Sequence, residues 1–232
     1  MIKRKKSAFL VSILLGIAVF GGLFGFQGNM AQAAPISTQN NSQVPIETRA
    51  LSDCTTFRIV SVAGDPLSSV VISGGYSGHA FLIVNNDFVS GITVAGLTVP
   101  AGGQVTIGTW GTRSNGLGVY LNLEAYQGSG AYPDRVSLSA CITSSQLVTL
   151  NSQIANNNSW SNTNNCSSFA SKVWNAVVTN NTVSAGSINT PSGLVTSIKS
   201  KSLYYTNTAF SSTTAVNVKR LQTNGTLITA TV

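Results

Sequence analysis

From Thr55 to about Ala140 the apolar residues fall in short runs of strand length, cut by Gly, Asn, Asp and Pro. Phe57-Arg58-Ile59-Val60-Ser61-Val62 alternates loosely and ends at a Gly64-Asp65-Pro66 turn, and Val70-Val71-Ile72 reads as a short strand or strand end. Gly74-Gly75-Tyr76-Ser77-Gly78 is a loop that needs unusual backbone freedom. His79-Ala80-Phe81-Leu82-Ile83-Val84 is almost continuously apolar and is closed by Asn85-Asn86-Asp87. That pattern predicts a central strand covered on both faces, with a polar residue at its first position. Ile92–Val94, Leu97–Pro100, Gln104–Gly111 and Val119–Glu124 continue the series of short strands. The region 55–140 therefore predicts a meandering antiparallel sheet.

The period then changes. Ile142, Leu147, Leu150 and Ile154 share a helical stripe that Thr143 or Ser144 would cap. An Asn/Ser-rich link from Asn156 to Asn165 carries one large apolar residue, Trp160. Phe169, Ala170, Val173 and Val177 form one face of a second helix, with Cys166 in its first turn and Asn164 or Asn165 as N-cap. Thr190–Ile198 reads as a turn into a short helix. Ala215–Leu221 and Thr226–Val232 flank Asn224-Gly225, a hairpin signal. The sum is an α+β chain.

Composition adds a compartment. Only 8% of the 232 residues are charged, and Lys3, Arg4, Lys5 and Lys6 precede an apolar run from Ala8 to Phe26 that ends near Ala31-Gln32-Ala33. A basic start, an apolar middle and small residues at the end predict a secretory signal peptide over residues 1–33. An uncleaved membrane anchor is the alternative, since the run approaches spanning length. Without those four cations, nine Lys and Arg face six Asp and Glu, so the formal charge falls from +7 to +3. Few basic clusters remain, which argues against nucleic acid as a partner. Residues 34–50 lack periodicity and read as a flexible mature N-terminus, residues 51–200 as the main domain, and 201–232 as a hairpin extension packed on it. The expected product is a monomer in the bacterial cell envelope or outside the cell.

Three cysteines in an exported chain suggest one disulfide and one free thiol. If Cys166 is free, Cys54 and Cys141 either pair or remain as small buried groups. Cys166 at a helix start feels the positive end of the helix dipole, which favours the nucleophilic thiolate. His79 is the sole histidine and so the one conventional base near neutral pH. The third, orienting group is open among Thr93, Thr109, Asn85 and Gln104, which lie on or near strands that can neighbour His79. A lone Cys on an apolar face or a lone His before a strand is usually structural; their pairing carries the catalytic reading. One histidine, scattered acids and separated cysteines form no metal-ligand set, and no cofactor is expected.

Asn164-Asn165-Cys166-Ser167-Ser168-Phe169-Ala170, with Gly78-His79-Ala80-Phe81-Leu82 upstream, resembles the circularly permuted NlpC-like branch of papain-fold cysteine peptidases and amidases, which includes relatives of lecithin:retinol acyltransferase. Gly108-Thr109-Trp110-Gly111, Trp160 and Thr190-Pro191-x-x-Leu194-x-x-Ser197-Ile198 extend the likeness over residues 70–200. The resemblance implies a permuted papain-like fold, an antiparallel sheet packed against the Cys-bearing helix. It implies Cys166 as nucleophile and His79 as general base in hydrolysis of an amide, with peptidoglycan stem peptide as substrate. Acyl transfer or lipid-ester hydrolysis by the same dyad is the first alternative, and a non-catalytic binding protein that keeps the fold is the second. The family's orienting residue, often His, Asn, Gln or Glu on a following strand, has no clear match, and Thr109 is taken for that role. Tyr76, Trp110 and Asn165 are the candidate substrate-binding residues, while Trp174, inside the helix, is expected in the core.

Overall fold

The predicted strand at Phe57 begins two residues early. In the computed structural model, which describes residues 54–64, 78–111 and 113–232, β1 (Thr55–Ala63) pairs antiparallel with β2 (Gly78–Asn85) from Thr56↔Asn85 to Ala63↔Gly78. The predicted signal peptide, the N-terminal segment to residue 50, the Val70–Ile72 strand and Tyr76 lie outside the described residues.

Six further strands, β5 (Gln104–Trp110), β6 (Gly118–Leu121), β7 (Val136–Ile142), β8 (Tyr205–Thr206), β9 (Lys219–Leu221) and β10 (Leu227–Thr229), join them; β3 (Ile92–Val94) and β4 (Leu97–Val99) form a separate hairpin. The sheet order is β10-β9-β6-β5-β2-β1-β7-β8, and every pairing is antiparallel. Among the described residues four helices complete the α+β fold: α1 (Leu123–Gln127), α2 (Ser144–Asn156), α3 (Cys166–Val177) and α4 (Pro191–Lys199).

Side chains alternate across a strand, so a continuously apolar strand needs cover on both faces. β2 has it. Ala80, Leu82 and Val84, with Phe57, Ile59 and Ile107, pack under Leu150 of α2, Phe169, Val173 and Trp174 of α3, and Leu194 of α4. Phe81 and Ile83, with Val60 and Val62, meet Tyr132 and Phe210 on the opposite face. Arg135 secures that second layer by donating to the carbonyls of Ser129, Tyr132, Asn207 and Thr208. Trp174 is fully buried and stacks on Phe57 at 5.2 Å between ring centroids.

Three local readings change. The strand predicted over Val119–Glu124 stops at Leu121, because Asn122 takes φ 66° and turns the chain into α1. Ile142 ends β7 instead of starting a helix; α2 begins beyond Thr143, whose hydroxyl accepts from Gln146 N–H in a capping box. The C-terminal segment supplies strands at both edges of the sheet, β8 beside β7 and the β9–β10 hairpin beside β6. Of Ala215–Leu221 only Lys219–Leu221 is strand; Ala215–Asn217 is a 3-10 turn.

Cys54 and Cys141 are disulfide-bonded with Cα atoms 5.5 Å apart, tying the start of β1 to β7. Cys166 is the free cysteine.

Candidate active site

The site begins with a glycine. Gly78 has φ +113°, and a Cβ there would overlap Val62 O and lie 2.9 Å from Pro191 Cβ. Glycine therefore lets the chain enter β2 beside β1 and α4, and it delivers His79 as the second residue of the strand. The β2–β5 ladder runs from Asn85↔Gln104 to Phe81↔Gly108, leaving His79 and Ala80 beyond its end. His79 projects to the same face as Phe81, with ring centroids 5.7 Å apart.

Helix α3 arrives at this open end from the other face. Its position is fixed mainly by packing, since burying Phe169, Val173 and Val177 contributes about 2 kcal/mol each. The N-cap contributes about 1 kcal/mol and decides where the helix starts. Asn165 is that cap: its Oδ1 accepts from the N–H groups of Ser167 and Ser168, while its Nδ2 donates to Asn162 O and Asn189 O. The Asn165 side chain is thus committed to the helix end and the loop around it. Cys166 follows in the first turn.

Cys166 and His79 are hydrogen-bonded through their side chains. Each is only 4% exposed. Burial alone would push the imidazole pKa down. The hydrogen bond and charge of Cys166, followed by those of Glu124, outweigh burial and raise His79 to about 9. Burial would push the thiol up, but the hydrogen bond and charge of His79, the Ala80 N–H and the Ser167 hydroxyl bring it below its ordinary value. Both shifts favour the thiolate–imidazolium form of the pair over the neutral one.

The orienting group is Glu124. Its Oε1 lies 2.9 Å from His79 Nε2 and accepts from Trp110 Nε1–H at 2.9 Å, and its Oε2 accepts from the Thr106 hydroxyl at 2.9 Å. With Nε2 on the carboxylate, Nδ1 is the nitrogen left for the thiol. Thr106 and Trp110 flank Gly108 at two-residue spacing on β5, so all three share the face on which His79 lies. A side chain at Gly108 would run into Glu124 Oε1 and stand 3.1 Å from His79 Nε2. Trp110 also packs on the imidazole, with centroids 4.2 Å apart.

Thr109 does not fill the orienting position. Strand alternation turns it away from Thr106, Gly108 and Trp110, and its buried Oγ1 has no hydrogen-bond partner among the described residues. Asn85 and Gln104 bond each other at the far end of β2, and Thr93 is an exposed residue of β3. Trp110, expected to bind substrate, serves the His79–Glu124 pair. Trp160 lays its ring against Gly111, next to Trp110 in sequence.

Among the described residues no three His, Cys, Asp or Glu side chains gather as a metal-ligand set. Comparison with family models, with curated proteins and with solved structures finds no match. A buried thiol whose pKa is lowered, the imidazole beside it and a carboxylate behind that imidazole form a chain suited to attack on a carbonyl and proton delivery to the leaving group.

Proposed function

We propose that this protein is a secreted cysteine hydrolase of the circularly permuted papain-like type, cleaving an amide bond in a peptide of the bacterial cell wall. The observation that carries this reading is the relay Cys166–His79–Glu124, in which the histidine touches the thiol on one side and a fully buried carboxylate on the other. The His-strand preceding the Cys-helix in the chain supports the permuted order, and a disulfide between Cys54 and Cys141 suits an oxidising compartment.

In this mechanism Cys166 Sγ attacks the amide carbonyl carbon, forming the C–S bond as the π electrons move to oxygen. The oxyanion forms at the positive end of α3, where the Cys166 N–H, which the Asn165 side chain leaves unpaired, can donate to it. Imidazolium His79 gives its proton to the departing nitrogen, the C–N bond breaks and an amine leaves. The resulting thioester is cleared by water, whose proton passes to the now neutral His79. The free carboxylic acid departs and the ion pair is restored. Glu124 holds the imidazole in one orientation and stabilises its positive charge throughout.

The test is capture of the intermediate. Incubation with cell-wall peptides and rapid acid quench should give a Cys166-linked acyl adduct by mass spectrometry, absent in Cys166→Ala and strongly reduced in His79→Ala. Adducts from acyl esters but not from peptides would move the assignment to acyl transfer or ester hydrolysis.

A further inference from the structure

A cavity of 390 Å³ is lined by Arg113, Ser114, Tyr120, Thr231 and Val232. Arg113 stands with its guanidinium carbon 4.0 Å from the centre of the Trp110 ring. The same indole packs on His79 and donates to Glu124, so one side chain separates the cavity's cation from the histidine. Arg113 Nε is buried and has no hydrogen-bond partner among the described residues. A second guanidinium, Arg220, is held on Leu117 O and lies over Gly116, whose carbonyl accepts from the Tyr120 hydroxyl.

Among the described residues no Asp or Glu side chain lines this cavity. Among the described residues the one contact within 4 Å between a basic group and a carboxylate is His79 with Glu124. A guanidinium presents its donors as a planar fork that matches an oxyanion, and stacking on an aromatic ring leaves its edge free to do so. A buried, unused Nε–H is a donor without an acceptor, which is costly unless a ligand supplies one.

We propose that the Arg113 cavity is a carboxylate-binding subsite, which holds the acidic end or an acidic side chain of the substrate while its amide reaches Cys166. The link to an amide substrate rests on the hydrolase reading; carboxylate binding at Arg113 does not, and it is tested apart from catalysis.

Cys166→Ala protein is titrated with N-acetyl-alanine, with N-acetyl-alaninamide and with inorganic phosphate, following the Arg113 Nε–H and Trp110 indole N–H signals by NMR. The acid should shift both signals saturably, the amide should not, and phosphate should bind more weakly than the acid. Arg113→Gln should weaken acid binding by about tenfold or more, as expected when a charge-assisted hydrogen bond is lost. Ser114→Asp, which puts a negative charge on an exposed lining position and leaves the Arg113–Trp110 stack in place, should do the same. Equal responses to acid and amide, tighter binding of phosphate, or unchanged acid binding in folded Arg113→Gln and Ser114→Asp proteins would overturn the proposal. Because the nucleophile is absent from every arm, an inactive enzyme would leave this result standing.

Discussion

Glu124 Oε1 sits 2.9 Å from His79 Nε2, inside a fully buried carboxylate that also accepts from Trp110 and Thr106. A buried carboxylate is tolerated where its oxygens are hydrogen-bonded and a cation faces it, and both conditions hold here. The same contact adds to the hydrogen bond and charge of Cys166 in raising the His79 pKa.

The pH profile of hydrolysis follows from that coupling. His79 titrates at about 9, above its ordinary value, so proton donation to the leaving group is available below that pH and lost as pH rises through it. The thiolate, whose pKa is lowered, is lost as pH falls through its folded value. Activity against a peptide amide should be bell-shaped, with an alkaline limb near 9. Glu124→Gln removes the charge behind the imidazole, so that limb should move to lower pH and kcat/KM should drop about 10²-fold, the scale of a general acid–base contribution. An unmoved limb would remove Glu124 from the relay.

Gly108→Ala tests the same relay by sterics alone. The added methyl collides with Glu124 Oε1, a side-chain end that three hydrogen bonds hold in a closed space. Overpacking should cost about 1–3 kcal/mol of stability, measurable by urea unfolding. The displaced carboxylate should lower the pH of the alkaline limb as Glu124→Gln does.

Thr109→Val separates the two candidates for the orienting role. The Thr109 hydroxyl is buried without a partner among the described residues, so replacing it with a methyl of similar shape should stabilise the fold by about 1 kcal/mol and leave kcat/KM unchanged. A large loss of activity would return Thr109 to the site.

Asn165→Ala removes the cap of α3 and should destabilise the protein by about 1–2 kcal/mol in thermal unfolding. Asn165→Asp keeps the accepting oxygen and should recover part of that loss, while the bonds to Asn162 O and Asn189 O remain broken. A role confined to substrate contact would leave both variants as stable as the parent.

What the residues reveal in one dimension divides along physical lines. The two-faced burial of His79–Val84 was legible because a continuous apolar run of strand length needs cover on both sides. The helix at Cys166 was legible from its spacing and its Asn cap. Glu124 was not, because Val119–Glu124 has the look of one strand until Asn122 adopts a left-handed conformation and moves the carboxylate into the first turn of a helix. Asn tolerates that conformation better than most residues, so Asn122 was a usable signal, as was an acid set among apolar neighbours. Thr109 lies on the strand next to His79, but strand alternation places it on the wrong face. The anion subsite depends on Arg113 meeting Trp110 and the C-terminal residues in space, which spacing cannot reveal.

Alkylation by iodoacetamide at pH 6 measures directly whether His79 holds Cys166 as a thiolate. An ordinary thiol is on the order of 0.3% ionised there, which leaves roughly two powers of ten for an activated one to gain, less the lower intrinsic nucleophilicity of a low-pKa thiolate. Cys166 should label at least about tenfold faster in the parent protein than in His79→Ala, while Cys54 and Cys141 stay unlabelled in their disulfide. Equal, slow labelling of Cys166 in both proteins would contradict the account.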